Sequence, residues 1–324
     1  MKTLKVYINH HGGPEALRLG DTAIDAITGT EVLVRNHAIG VNYIDTYFRS
    51  GLYPPPALPS GLGTEGAGVV IAVGADVHDF VVGDRVAYVQ SALGAYSTYH
   101  VVDQAKLVPL PADISFDIAA GGLLKGLTAV ALLTRVAAPT RDDTVLFYAA
   151  AGGVGSLACQ LAARRDIKLI GVVSSTAKAD LICNLGAAHA VLADSDFTST
   201  VRVLTHGKGA NVVYDSVGRT TWSKSLASVS RLGHIVSFGN ASGPVEGVNL
   251  ADLAKAGSVT VSRPILFDYI ADARSLRSLA AELFDEIRHG LQVRIGACLP
   301  LEQAADAHRL LESRSSTGSV ILRP

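Results

Sequence analysis

From Thr144 onward the apolar positions alternate between two rhythms. Short β-branched runs at Thr144–Tyr148, Lys168–Val173, Asn211–Asp215, His234–Phe238 and Ser258–Ser262 are separated by segments whose apolar residues recur every third or fourth place. Strand and helix in turn predict a parallel, doubly wound sheet. The first 120 residues follow another pattern, strand-rich and broken by glycine and proline. The chain runs from Met1-Lys2-Thr3 straight into a strand, Glu31–Arg35 alternates like one, and Gly66–Gly74 reads as another. Gly83-Asp84 turns into a strand at Arg85-Val86, whereas Gly51–Pro56 is too proline-rich for anything but a stiff surface loop. Ser115–Val136 has a helical pattern interrupted at Gly121-Gly122 and Gly126. After Pro264 the spacing of Leu276, Leu279, Leu283 and Ile287 predicts a long amphipathic helix ending near Gly290. A helix at Ala304–Leu311 and a strand at Ser319–Leu322 follow. The fold class is α/β: a β-rich lobe at 1–123, an inserted doubly wound domain at 124–264, and a return to the first lobe at 265–324.

Candidate chemistry begins where the first strand of the inserted domain ends. Tyr148 is followed by Ala149-Ala150-Ala151-Gly152-Gly153-Val154-Gly155, and Leu157, Ala158, Leu161 and Ala162 then share one helix face. Strand, tight turn and helix bring a pyrophosphate onto a helix N-terminus, where free amides and the positive end of the dipole meet its charge. Ala150 replaces the first glycine of the usual GxGxxG pattern, but Gly152 still admits a phosphate and Gly155 still lets the helix close on the strand. An ordinary turn between strand and helix gives similar strings, so the next strand matters. At its end, where NAD-specific folds carry Asp or Glu, stands Ser174, with Ser175 and Lys178 near, in a run that opens the next helix with a hydroxyl N-cap. Hydroxyls and a lysine hold a 2′-phosphate that a carboxylate repels. The pattern leans to NADPH; the bland alternative is a Lys178 that simply faces solvent.

Composition narrows the field. The 324 residues are 48% hydrophobic and 18% charged with a net charge of −1, which suits a compact two-domain protein and gives no basic stretch for nucleic acid. No run of 18 apolar residues and no signal-peptide core stands out, and three isolated cysteines read as free thiols. Both features suit a cytoplasmic protein without a membrane partner. The 10 histidines show no metal-binding spacing, and no GxSxG elbow is present.

With both lobes read, the order of parts resembles the medium-chain dehydrogenase/reductase superfamily, in which a GroES-like β lobe holds an inserted Rossmann domain. Within it the chain resembles the zinc-independent NADPH:quinone oxidoreductases related to zeta-crystallin. The resemblance is carried by Val41–Tyr47, Arg49–Pro56, Gly61–Glu65, Gln90–Tyr96, Leu124–Thr128, Tyr214–Gly218, Ser237–Asn240 and Leu311–Arg314. The superfamily's metal enzymes place cysteine and histidine where this chain has Asn42 and Thr64, and zinc prefers thiolate or imidazole to an amide or a hydroxyl. The resemblance therefore implies NADPH as cofactor, a quinone as substrate, no catalytic metal and a homodimer.

It also implies a set of site residues. Asn42 and Tyr53 stand beside the nicotinamide to orient a carbonyl, with no dedicated acid, because a reduced quinone oxygen is a stabilised anion that water can protonate. Asn42, Asp45, Lys125 and Thr128 join Gly152, Gly153, Val154, Gly155 and Gly171 as cofactor contacts, with Ser174, Ser175 and Lys178 at the 2′-phosphate and Gly218, Phe238, Gly239, Asn240 and Arg263 at later strand ends. As residues alone, each has a blander reading that carries less weight: loop packing for Tyr53, a turn for Asn42, a surface charge for Lys125. The chain departs from bacterial relatives at Ala193-Asp194, where they place a tyrosine against the adenosine 2′-phosphate. Two other readings stay open: an NADPH-dependent enone or alkenal reductase on the same scaffold, and a non-catalytic, crystallin-like NADPH-binding protein.

Overall fold

The computed structural model describes residues 1–313 and 316–324, so Arg314 of the Leu311–Arg314 block lies outside the described residues. The chain divides into two compact units, Met1–Leu127 with Ile270–Pro324, and Thr128–Tyr269. The first boundary falls inside the helix Phe116–Ala131, and the second just after the short helix Leu266–Tyr269.

The middle unit is a six-stranded parallel sheet. Across it run His189–Leu192, Lys168–Val173, Thr144–Tyr148, Ala210–Asp215, Val229–Ser237 and Thr260–Ser262. The chain starts at Thr144–Tyr148, works outward to His189–Leu192, and returns to Ala210–Asp215 on the other side of its first strand. The polarity of winding therefore switches between the ends of Tyr148 and Asp215, which is where open α/β sheets bind ligands. Leu146, Ile170, Val172, Val213 and Ile235 form its core with Phe197 and Val201 from the helix Phe197–Leu204. Strands covered on both faces need continuous apolar runs, which is the pattern these segments carry.

The other unit is β-rich. Leu17–Ala23, Lys2–Ile8 and Ser60–Gly61 form a three-stranded sheet. A seven-stranded sheet places Ile295–Pro300, Ser319–Arg323, Glu31–Val41, Gly66–Val73, Arg85–Tyr88 and Leu107–Pro109 in that order, with Tyr99–Asp103 also paired to Glu31–Val41. Val32, Val34, Ile39, Tyr88, Tyr96 and Leu322 fill the core between them.

Three sequence expectations change. The helix Phe116–Ala131 runs unbroken through Gly121, Gly122 and Gly126. These glycines admit neighbours: a Cβ would lie 2.4 Å from Ile295 at Gly121, 2.9 Å from Val293 at Gly122, and 2.5 Å from Leu283 at Gly126. With a π-helical last turn this helix extends to Val136, 21 residues that contain an 18-residue window of mean hydropathy 1.6, but 72% of that window is buried within the protein, and Lys125 lies in the helix. The long helix after Pro264 begins only at Ala273, where the Asp272 side chain accepts the Ser275 amide at 2.8 Å, and runs to Arg288. Leu17–Ala23 escapes the hydrophobic pattern because it is an edge strand with no buried residue.

Candidate active site

In the middle unit, the expected cofactor residues collect at the carboxyl ends of the parallel strands, apart from Gly171, buried within its strand, and Thr128, on the helix Phe116–Ala131. After Tyr148 the backbone turns through Ala149, whose φ of 52° is left-handed, and the Gly152 amide donates back to the Ala149 carbonyl at 2.9 Å. Gly152 caps the helix Gly153–Ala163. The first-turn amides of Gly153, Val154 and Gly155 have no carbonyl one turn earlier in the helix to receive them, which leaves them available to an anion. A Cβ on Gly152 would meet only the Ala149 carbonyl at 3.1 Å, so this turn faces open space. A Cβ on Gly155 would fall 2.5 Å from that oxygen and 2.6 Å from the Ala150 Cα, so Gly155 is what allows helix and strand to close. Gly171 is likewise a packing glycine, since a Cβ there would lie 2.2 Å from Ile182 and 2.7 Å from the Ala150 Cβ.

The next strand ends in Ser174, exposed, with the Lys178 ammonium 3.3 Å from its hydroxyl. The Ser175 hydroxyl caps the helix Thr176–Asn184 by accepting the Lys178 amide. Ala193 and Asp194 lie just beyond the neighbouring strand end, where the Lys224 ammonium donates to the Ala193 carbonyl at 3.1 Å and lies 4.9 Å from the Phe197 ring centroid. Lys224 is a cation that sequence reasoning passed over, because its helix, Trp222–Ser228, belongs to a later strand.

Gly218 (φ 95°) and Gly239 knit two further strand ends together: a Cβ on Gly218 would sit 2.5 Å from the Gly243 carbonyl, and one on Gly239 2.3 Å from that of Ser216. Buried Asp215 organises this corner by accepting from the amides of Val217 and Gly218 and the hydroxyls of Thr221 and Ser225. The Phe238 ring lies 5.7 Å from that of Phe147, the Asn240 carbonyl accepts the Gly243 amide, and Arg263 donates to the Ser237 carbonyl at 2.8 Å.

The β-rich unit holds a second cluster, and it is almost dry. Asn42 caps the helix Tyr43–Ser50 and is 4% exposed. Its carboxamide is engaged elsewhere. The carboxamide nitrogen donates to Glu65 Oε2 at 2.6 Å, and its oxygen accepts from the Lys125 ammonium at 2.7 Å. Lys125 is 8% exposed, so it is no surface charge; burial lowers its pKa, which the nearby Glu65 and Asp45 carboxylates oppose. Glu65 is fully buried, and that burial raises its pKa against the pull of Lys125, 3.9 Å away. Its other oxygen accepts the Leu124 amide at 2.6 Å.

Asp45 forms the other side of this cluster. Its Oδ2 accepts the Asn42 amide and the Tyr96 hydroxyl, both at 2.8 Å, while Oδ1 is buried without a partner among the described residues. Burial raises its carboxyl to about 7. Tyr96 passes the network to His308 at 3.1 Å, and His308 to Arg49 at 3.0 Å, which pairs with Glu312. Burial, then the Arg49 charge, depress His308 to about 3. Tyr53 is half-buried, its ring edge-on to Tyr47 and Phe48 at 5.2 and 6.4 Å. Thr128 is half-buried on the long helix, three residues past Lys125. Sequence reasoning quoted Glu65 within a motif and missed His308; no local signal could have joined residues so far apart.

Comparison with known proteins matches both units. Residues 28–112 fit the alcohol dehydrogenase GroES-like domain, and residues 153–282 the zinc-binding dehydrogenase domain. A quinone oxidoreductase of Pseudomonas aeruginosa is 50% identical, covering 97% of each chain. Quinone oxidoreductase 1 of Escherichia coli is 46% identical over 99% of both. The solved structure of the Escherichia coli quinone oxidoreductase complexed with NADPH superposes with a TM-score of 0.97 at 46% identity, over 99% of this chain and 100% of that one.

Proposed function

We propose a function from one premise: the chain belongs to the quinone oxidoreductase family of the medium-chain dehydrogenases/reductases. It is an enzyme, an NADPH-dependent quinone oxidoreductase. Full-length identity near one half carries this reading. NADPH supplies the hydride; the chain supplies placement.

The turn at Gly152–Gly155 holds the pyrophosphate on first-turn amides, in the open space where a Gly152 Cβ would meet only one carbonyl. Ser174, Ser175 and Lys178 hold the 2′-phosphate, and Gly218, Phe238, Gly239, Asn240 and Arg263 line the later strand ends toward the nicotinamide ribose. Gly171 serves by letting Ala150 settle on its strand. Asn42 and Lys125 in the β-rich unit, and Thr128 in the middle unit, are read as cofactor contacts, Asp45 holds the Asn42 backbone, and Tyr53 is read as a substrate contact. The reduced oxygen takes its proton from water.

Zinc does not fit the Asn42 region. The donors at hand are an amide already bonded to an ammonium, the Thr64 hydroxyl, and the Glu65 carboxylate, whose two oxygens are committed to the Leu124 and Asn42 nitrogens. A cation, Lys125, occupies the neighbourhood already, and among the described residues no group of three or more His, Cys, Asp or Glu converges. Dialysis against EDTA should leave turnover unchanged; activity restored by added zinc would contradict this.

We take the protein to be cytoplasmic and a homodimer. The sheet ends on Thr260–Ser262, where Val261 is 40% exposed and Ile265, three residues past the strand, 55%, an edge suited to pairing with a second copy. The deciding assay follows NADPH oxidation with 1,4-benzoquinone, 9,10-phenanthrenequinone and an alkenal in parallel. Faster turnover of the alkenal would favour an enone reductase, and binding without oxidation a crystallin-like role.

A further inference from the structure

We propose that Glu65 is a positioning residue for the reaction: it fixes which way the Asn42 carboxamide faces and thereby where the Lys125 ammonium sits. The proposal rests on the placement of Asn42 and Lys125 given above and adds a residue that acts only through them. Glu65 is fully buried, and both its oxygens are committed, one to the Leu124 amide and one to the Asn42 amide nitrogen, each at 2.6 Å. A carboxylate only accepts, so the group of Asn42 facing it must be the donor. The Asn42 oxygen is then turned to Lys125, which only donates. The run from Leu124 N–H through Glu65 and Asn42 to Lys125 thus has one permitted direction. The Glu65 charge, 3.9 Å from the ammonium, also offsets the cost of burying it.

The same logic says what a neutral isostere would do. In Glu65→Gln the side chain must present its NH₂ either to the Leu124 amide or to the Asn42 NH₂, and both are donors. If Asn42 flips to relieve the conflict, its NH₂ meets the Lys125 ammonium instead. Every arrangement breaks one bond, and Lys125 loses the Glu65 charge 3.9 Å away, keeping only the lesser pull of Asp45. Adding Asn42→Asp repairs the run: the introduced carboxamide accepts from Leu124 and donates to one oxygen of the new carboxylate, whose other oxygen accepts from Lys125. The negative charge is restored one residue along, at a helix N-cap that favours Asp.

The test measures kcat and the dissociation constant for NADPH with 1,4-benzoquinone as acceptor in wild type, E65Q, N42D and N42D/E65Q, with folding checked by circular dichroism. E65Q should lose at least tenfold in kcat while NADPH affinity changes less than threefold, because the pyrophosphate and 2′-phosphate contacts belong to the middle unit. N42D alone, which sets two carboxylates against each other, should also be impaired. The double variant should recover at least half the loss in E65Q on a logarithmic scale. Wild-type kcat in E65Q would overturn the proposal, and so would a folded double variant no more active than E65Q. If E65Q does not fold, E65D, which keeps the acceptor but shortens its reach, takes its place. A folded E65D with unchanged kcat would refute the role equally. Loss of quinone turnover in the wild type itself would refute the enzymatic reading rather than this one.

Discussion

Ser174 follows the end of one strand and Lys178, in the first turn of the next helix, reaches its hydroxyl at 3.3 Å; their discrimination between NADPH and NADH is electrostatic. A charge-assisted contact to the 2′-phosphate contributes about 1.5–3 kcal/mol, so Lys178→Ala should weaken NADPH by roughly tenfold or more and NADH hardly at all. Equal losses for the two cofactors, measured by fluorescence titration, would move the 2′-phosphate elsewhere. The effect should shrink as salt rises, because Ser174 and Ser175 are exposed and Lys178 only half-buried. With Ala193-Asp194 in place of an aromatic contact, Asp194→Arg should tighten NADPH selectively. The buried pair Asp45 and His308 makes a different, opposed contribution. Asp45 titrates near 7 in the fold against an ordinary 3.8, so it withdraws stability as pH rises through that window. His308, held to about 3 against an ordinary 6.5, withdraws stability as pH falls through nearly the same window. The two slopes largely cancel between about pH 4 and 6.5. Asp45→Asn should leave the histidine unopposed, so urea-derived stability should drop more steeply on acidification, by roughly 1 kcal/mol per pH unit. A variant with the wild-type pH slope would mean that the two groups do not titrate independently in the fold.

At the scale of elements, close approach decides more than propensity does. Gly155→Ala would place a methyl group 2.5 Å from the Ala149 carbonyl and against Ala150, backbone that cannot swing aside. Overpacking of this kind costs about 1–3 kcal/mol, and it should lower the thermal midpoint and weaken NADPH together. By contrast, Gly152→Val should spare the fold and abolish cofactor binding, since only the Ala149 carbonyl is near. A stable Gly152→Val with normal NADPH affinity would show that the turn is not the phosphate cradle. Much of this was legible beforehand. Strands such as Lys168–Val173 and a hydroxyl cap on the helix after it declare themselves because their signals are local. The unbroken helix through Gly121, Gly122 and Gly126 did not, because its glycines answer to Ile295, Val293 and Leu283, far along the chain. The same holds at the site: the Gly152 turn can be read from its own neighbours, whereas Glu65 and His308 acquire meaning only from what the fold brings against them.

For the whole molecule, the order in which the chain is made matters as much as the contacts it ends with. Ser319–Arg323 lies between Glu31–Val41 and Ile295–Pro300, with Gly40 paired to Ile321. Deleting Ser319–Pro324 should therefore open the β-rich sheet from within and abolish turnover, a loss readable as a vanished unfolding transition. A truncated protein with wild-type activity would mean that this strand is dispensable. On the ribosome, the Ile39–Val41 edge emerges long before its partner exists. At about 5–20 residues per second, the wait is on the order of ten to sixty seconds. The inserted unit, Thr128–Tyr269, is complete in sequence well before then and can settle first. During that interval the nascent chain carries an unsatisfied strand edge, open to pairing with another nascent copy. Yield in the cell should thus depend on translation speed and chaperone supply more than on the stability of the finished enzyme.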